Sequence, residues 1–283
     1  MSFDERFLIG ASVFAYLAAF LFILQHLWSG RPHSRAISIT MISAGFFLQT
    51  TGLYWRGLQV GACPIGNPFE IAQSITWGAV ILFLILGPVF RVKLLGFFTS
   101  GFAFTLGTTS LILPGWDYSY ERNPFGGNAL VELHAALAIF SYAFFALLAI
   151  VSLMFLIQHV SLRRKHFSTI SRVIPSIAQL DRLSLRILLT GQLVLTLSLL
   201  IGFFLWLSGL AIPTLKLLVV VILWLAYGTI LTSRYRGKMS PRRLAGTSIL
   251  LFAFGLLSLG YMDVFRAPSP VDSQPNSVVS PER

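Results

Sequence analysis

Eight stretches of about twenty or more mostly apolar residues run through the chain, at roughly 7–28, 37–55, 71–90, 94–113, 129–159, 187–207, 214–233 and 244–263. A bilayer's hydrocarbon core is about 30 Å thick, which a helix crosses in about 20 residues. With no water there, each backbone group must find its partner within the segment, so apolar runs of this length become helices. The expected fold class is therefore all-α, a polytopic integral membrane helix bundle with about eight transmembrane helices, built as one membrane domain over 1–265. Only 11% of the residues are charged, against about 25% in soluble domains. Gly, Ser and Thr scattered through the runs allow close helix–helix approach. The fifth run, at about 30 residues, exceeds the hydrocarbon thickness and should tilt or project. The first is not expected to be a cleaved signal, because "MSFDER" before it is net acidic and the run is too long.

The net charge of +11 raises the question of nucleic acid, and its distribution answers it. When segments are assigned to alternate sides, fifteen of the 21 Lys and Arg residues fall after runs 1, 3, 5 and 7, while nine of the ten acids fall on the other side. The positive-inside rule then places both termini outside, in a multi-pass protein of the plasma (inner) membrane. The basic charge is a topology signal with some help from anionic lipid, and no nucleic-acid partner is expected. Cys63 is the only cysteine, which excludes an internal disulfide, a CxxC pair and a cysteine-built metal site.

The outward segments read as "RGLQVGACPIGNPFE" (56–70), "PGWDYSYERNPFGGN" (114–128), a short "SGLAIP" (208–213) and a Pro- and Ser-rich tail, 266–283, expected to be disordered. On the basic side, 160–186 is the one sizeable soluble piece. Apolar residues at 177, 180, 183 and 187 recur at helical spacing after Pro175, which predicts a short amphipathic helix along the membrane surface.

Four stretches carry a resemblance. They are "CPIGNPFEIAQSITW" (63–77), "LHAALAIFSYAFFAL" (133–147), "IPSIAQLDRLSLRILLTGQLVLTLSLLIG" (174–202) and "WLAYGTILTSRYRGKMSPRR" (224–243). Together, and in this order, they resemble the cytochrome c assembly family of membrane proteins, which includes the CcsA, CcmC and HemX-like groups. The resemblance implies haem handling at the outer face of the membrane in cytochrome c biogenesis, with non-covalent b-type haem as cofactor. It makes His134 the external axial ligand and the only metal ligand, to haem iron. It also implies a partner such as a ResB-like membrane subunit. This chain departs from the family in three places. It has "SGLAIP" where haem-attaching members carry a tryptophan-rich loop, no histidine in its tail, and Gln49 and Thr232 near the positions of two intramembrane histidines. That pattern resembles the HemX-like branch.

The residues themselves leave alternatives open. His134 lies one turn inside an apolar run, where an imidazole either ligates iron or sits as an interfacial polar group. Glu132, two residues away, falls on another helix face and is not expected to be its partner. Asn67 and Glu70 either serve a haem pocket or cap the third helix, whose first turn favours a carboxylate. Trp77 and Trp116 either stack on a porphyrin or belong to an interfacial aromatic belt. Gln49 is expected to hydrogen-bond across the bundle. No HExxH, GxSxG or phosphate-binding glycine loop occurs, so no catalytic residues and no enzyme activity are expected. Besides haem handling, two readings remain, a HemX-like regulatory or scaffold protein that no longer binds haem, and a solute transporter.

Overall fold

The structure, a computed structural model, describes residues 5–29, 34–90, 94–113, 115–118, 125–164, 173–209 and 214–264. Among the described residues eight long α-helices follow one another: α1 (Glu5–Trp28), α2 (Arg35–Val60), α3 (Pro68–Phe90), α4 (Leu95–Ile112), α5 (Ala129–Arg163), α6 (Ile177–Leu207), α7 (Thr214–Tyr235) and α8 (Pro241–Val264). Among the described residues there is no strand. The first seven are long and apolar enough to cross a membrane. The eighth has 24 residues and begins with Arg242 and Arg243 in its first turn. This is a multi-pass helical membrane protein.

Helix boundaries follow local chemistry. Ser34 accepts from the Ile37 amide at 3.5 Å to start α2, and Gly61 closes that helix at φ 71°, a left-handed conformation that glycine enters without a Cβ penalty. Asn128 starts α5 by accepting from the Leu130 amide at 3.0 Å.

α5 is the axis of the bundle. It packs on α6, α8 and α3, while α1 pairs with α2 and α4, and α7 with α8. Residues 141–152 of α5 are all buried, so this stretch is enclosed around its whole circumference, as a helix apolar on every side must be. Small residues permit the closeness. A Cβ added at Gly78 on α3 would lie 2.5 Å from the Ala143 methyl on α5, so any larger residue there would push the two helices apart. The antiparallel pairing creates two ends. Residues 61–67 and 115–118 lie at one, the acidic end, and Arg234, Arg236 and Lys238 lie at the other, the basic end.

Three boundaries differ from the sequence-based expectation. The apolar periodicity at 177, 180, 183 and 187 is not a separate surface helix, because it forms the first turns of α6, which continues unbroken to Leu207. No Gly or Pro interrupts 177–190, so nothing breaks the ladder where polarity falls off. α2 likewise extends five residues past Trp55, which places Arg56 in the helix and not in a loop. α5 runs on to Arg163, four residues beyond its apolar stretch. The expected tail at 266–283 and residues 165–172 of the basic segment lie outside the described residues.

Candidate functional site

His134 stands in the second turn of α5, at the acidic end, facing α6. Its Nδ1 lies 2.7 Å from the Ser198 carbonyl oxygen. A carbonyl can only accept, so Nδ1 carries a proton, and in the neutral ring this tautomer leaves the lone pair on Nε2. Nε2 carries no hydrogen bond among the described residues. The Ser198 hydroxyl donates to the His134 carbonyl at 2.9 Å and sits 3.2 Å from Nδ1. Gly202, one turn further along α6, lies under the ring, and a Cβ there would stand 2.7 Å from Cε1. The imidazole is thus fixed in tautomer by one backbone carbonyl and in position by a missing side chain. Both groups come from α6, and Glu132 takes no part.

Asn67 and Glu70 have a different setting. Asn67 accepts from the Glu70 amide at 2.9 Å, and the Glu70 carboxylate accepts from the Gly66 amide at 2.8 Å, with Pro68 in the first helical position. This is a capping arrangement, and it starts α3. Glu70 also meets Arg56 Nε at 2.7 Å, while the other nitrogens of the same guanidinium reach Asp117 at 2.7 Å and Glu5 at 3.2 Å. Arg6 contacts Asp117 at 3.2 Å. Asn67 donates to the Tyr118 carbonyl at 3.1 Å. One planar fork therefore joins α1, α2, α3 and the 115–118 loop, a use for which Arg suits better than Lys. Trp116, partly buried, belongs to this corner through its carbonyl, which accepts from the Phe69 amide at 3.2 Å.

Trp77 lines a cavity of about 300 Å³ bounded by Thr50, Tyr54, Cys63, Ser74 and Phe140 among others. Its indole Nε1 donates to Thr50 at 2.9 Å and its ring stacks on Phe46 at 5.6 Å. The α5 residues in this cavity are Ala136, Ile139 and Phe140. At 100° per residue they occupy the face of α5 opposite His134. The structure thus brings Trp77, Trp116, Asn67 and Glu70 to the α3 side of α5, and His134 to the α6 side. Burial, together with the nearby Glu132 and Glu70 carboxylates, pushes the Cys63 thiol up from its ordinary range.

Gln49 is fully buried in a chain of hydrogen bonds through four helices. Tyr16 donates to its oxygen at 2.8 Å, its amide donates to Gln73 Oε1 at 2.7 Å, and Gln73 donates to the Ser110 hydroxyl at 2.8 Å. Thr232 turns back onto its own helix, donating to the Gly228 carbonyl at 2.9 Å, and is exposed. His26 does the same through Nδ1 to Phe22 at 2.8 Å. Among the described residues no group of three or more His, Cys, Asp and Glu side chains could hold a metal ion.

Sequence reasoning missed Ser198, Gly202 and Arg56. Nothing local marks the first two, since a serine and a glycine four apart are common in membrane helices. Arg56 carried a signal, as one of very few basic residues on the acidic side.

Comparison with known proteins gives two kinds of match. The model of a family described as "Cytochrome C assembly protein" matches residues 66–265. Protein HemX of Brevibacillus brevis is 27% identical over 199 residues, spanning 70% of this chain and 73% of that protein. Protein HemX of Bacillus subtilis (strain 168) is 26% identical over 196 residues, spanning 68% of this chain and 70% of its own length.

Proposed function

This chain belongs to the cytochrome c assembly protein family, and from that premise we propose that it binds haem through His134 and handles it at the outer face of the membrane in cytochrome c biogenesis. The observation that carries the reading is the seat of that imidazole. An axial ligand needs a neutral ring, a fixed tautomer and a second nitrogen that is hydrogen-bonded. The Ser198 carbonyl, 2.7 Å from Nδ1, supplies the last two, and in the neutral ring it leaves Nε2 for iron. Exposed apolar side chains lie one helical turn away, Leu130 before His134 on α5 and Trp206 beyond Gly202 on α6. These suit the face of a porphyrin, and the residues present fit one axial position of a non-covalent haem. When bound, the haem supplies the redox-active iron, and the chain's part is to hold and shield it. Ligation, not bond-making catalysis, is the role assigned to the protein.

The charge bias gives the orientation in this proposal. The acidic end faces outward from the plasma (inner) membrane, both termini lie on that side, and a membrane subunit of the ResB type or another maturation subunit is the partner. A scaffold reading without haem draws some support from Gln49, whose amide is spent on hydrogen bonds to Tyr16 and Gln73.

The test is the absorption spectrum of the purified protein with and without added haem. A Soret band should appear that His134→Ala abolishes or blue-shifts with little change in yield, since His134 is only half-buried and truncation strands little polar surface. Free imidazole should restore the band. A His134→Ala protein that keeps its full spectrum would sink the ligation reading and move the scaffold reading ahead.

A further inference from the structure

The stretch "LDRLSLR" (180–186) divides its charges between two faces of α6. Asp181 turns toward α7, where it meets Arg234 at 2.6 Å. Gln179, Arg182, Leu183 and Arg186, spaced three and four apart, share another face and line a cavity of about 150 Å³ together with Phe90, the last residue of α3. The Gln179 amide donates to the Phe90 carbonyl at 3.1 Å, and the Arg186 guanidinium lies 5.3 Å from the Phe90 ring centroid. Arg35 donates to the Gly87 carbonyl at 2.8 Å, so the last turn of α3 already has capping partners. Neither Arg182 nor Arg186 has a carboxylate partner among the described residues, and Asp181, the only acidic residue on this side, is already paired. Two guanidiniums one turn apart thus flank a small cavity with an apolar floor, at the level where a membrane helix leaves the hydrocarbon.

We propose that this cavity is a binding site for the phosphate of an anionic phospholipid headgroup, held between Arg182 and Arg186. The charge complementarity is direct, since guanidinium forks match phosphate oxygens in pairs. At about 150 Å³ the cavity has room for several waters, or one tetrahedral phosphate in their place. Stacking on Phe90 holds the Arg186 plane, which lowers the entropy lost when a ligand binds. Basic pockets between helix ends at this depth are where anionic headgroups are recognised. The site lies at the basic end, away from His134, and does not depend on the haem reading.

The experiment is a titration of the delipidated protein in detergent, followed by native mass spectrometry. The probes are phosphatidylglycerol, phosphatidylcholine and inorganic phosphate. Wild type should retain phosphatidylglycerol roughly tenfold or more over phosphatidylcholine, a preference that R182Q/R186Q loses. R242Q/R243Q, changed at two exposed arginines of the α8 first turn, should keep it. Equal retention of the two lipids by wild type would overturn the proposal, as would an undiminished preference in folded R182Q/R186Q. Displacement of the lipid by millimolar phosphate would assign the cavity to free phosphate and also overturn it. If the glutamine variant does not fold, R182K/R186K supplies the second arm. It keeps the charge but not the fork, and its preference should fall between wild type and none, so an unchanged preference would count against the paired-guanidinium geometry.

Discussion

Gln49 accepts from Tyr16 and donates to Gln73, so removing it strands two buried partners at once. Gln49→Leu fills similar space but leaves the Tyr16 hydroxyl and the Gln73 oxygen without their bonds. The expected cost is about 1–2 kcal/mol, read as a lower midpoint of thermal unfolding in detergent with the spectrum of any bound haem unchanged. Cys63 offers a second single-residue measurement. Burial and two nearby carboxylates favour its neutral thiol, so the thiolate, which is the nucleophile, is scarcer near neutral pH than in an unfolded chain. Maleimide labelling of the folded protein at pH 7 should be slower than that of the denatured protein, and should rise as pH increases past the ordinary thiol range. Equal rates at pH 7 would show that the thiol is not held in this setting. At this scale the sequence marked His134 and Gln49 by their placement inside apolar runs. It did not show that His134 would borrow a carbonyl from Ser198, because that bond joins residues 64 apart and depends on the register of α5 against α6.

The elements at the acidic end are held by one side chain near the end of α2. Arg56 is largely buried and Glu70 is wholly so, and truncating one member of such a pair leaves the other charge uncompensated. Arg56→Met should cost about 3 kcal/mol or more. Arg56→Lys should recover part of that, because a single ammonium cannot span Glu70, Asp117 and Glu5 together. Thermal unfolding of both variants in detergent checks the order, and a methionine variant as stable as wild type would show that the cluster contributes nothing. The motif that suggested a haem pocket, "GNPFE" at 66–70, has a helix start and an ion cluster as its observed contacts; the helix start was legible from the capping pattern, but the cluster was not, because Arg56, Glu5 and Asp117 come from distant parts of the chain. Nor was the length of α6 legible. Polar residues at 179, 181, 182 and 186 interrupt the apolar run, and hydropathy alone cannot tell a surface helix from the polar first turns of a crossing one. Asp181 and Arg234 show why those turns stay helical, since their ion pair ties the start of α6 to the end of α7.

At the scale of the whole molecule, the eight helices of the described residues have charge sorted to opposite ends. If all eight helices cross, the even number returns the chain to its starting side, and the expectation is that the two ends of the helix bundle's chain share a side opposite the basic end. The contacts agree with this alternation. Glu5, Arg56, Glu70 and Asp117 meet at one end, while Asp181 and Arg234 meet at the other. Lys and Arg concentrate at the latter, the end that the positive-inside rule expects inside. Topology reporters fused at Ser171 and at Ser273 should therefore report opposite sides, Ser171 inside and Ser273 outside. α8 is the element at stake, because as the last helix it alone decides on which side the chain beyond it lies. It packs against α5 and α7, and Leu250, Phe254 and Leu257 leave an exposed apolar face suited to lipid. If α8 did not cross, the Ser273 fusion would join Ser171 inside. The same-side result would leave seven crossings, and His134 would keep its place at the acidic end.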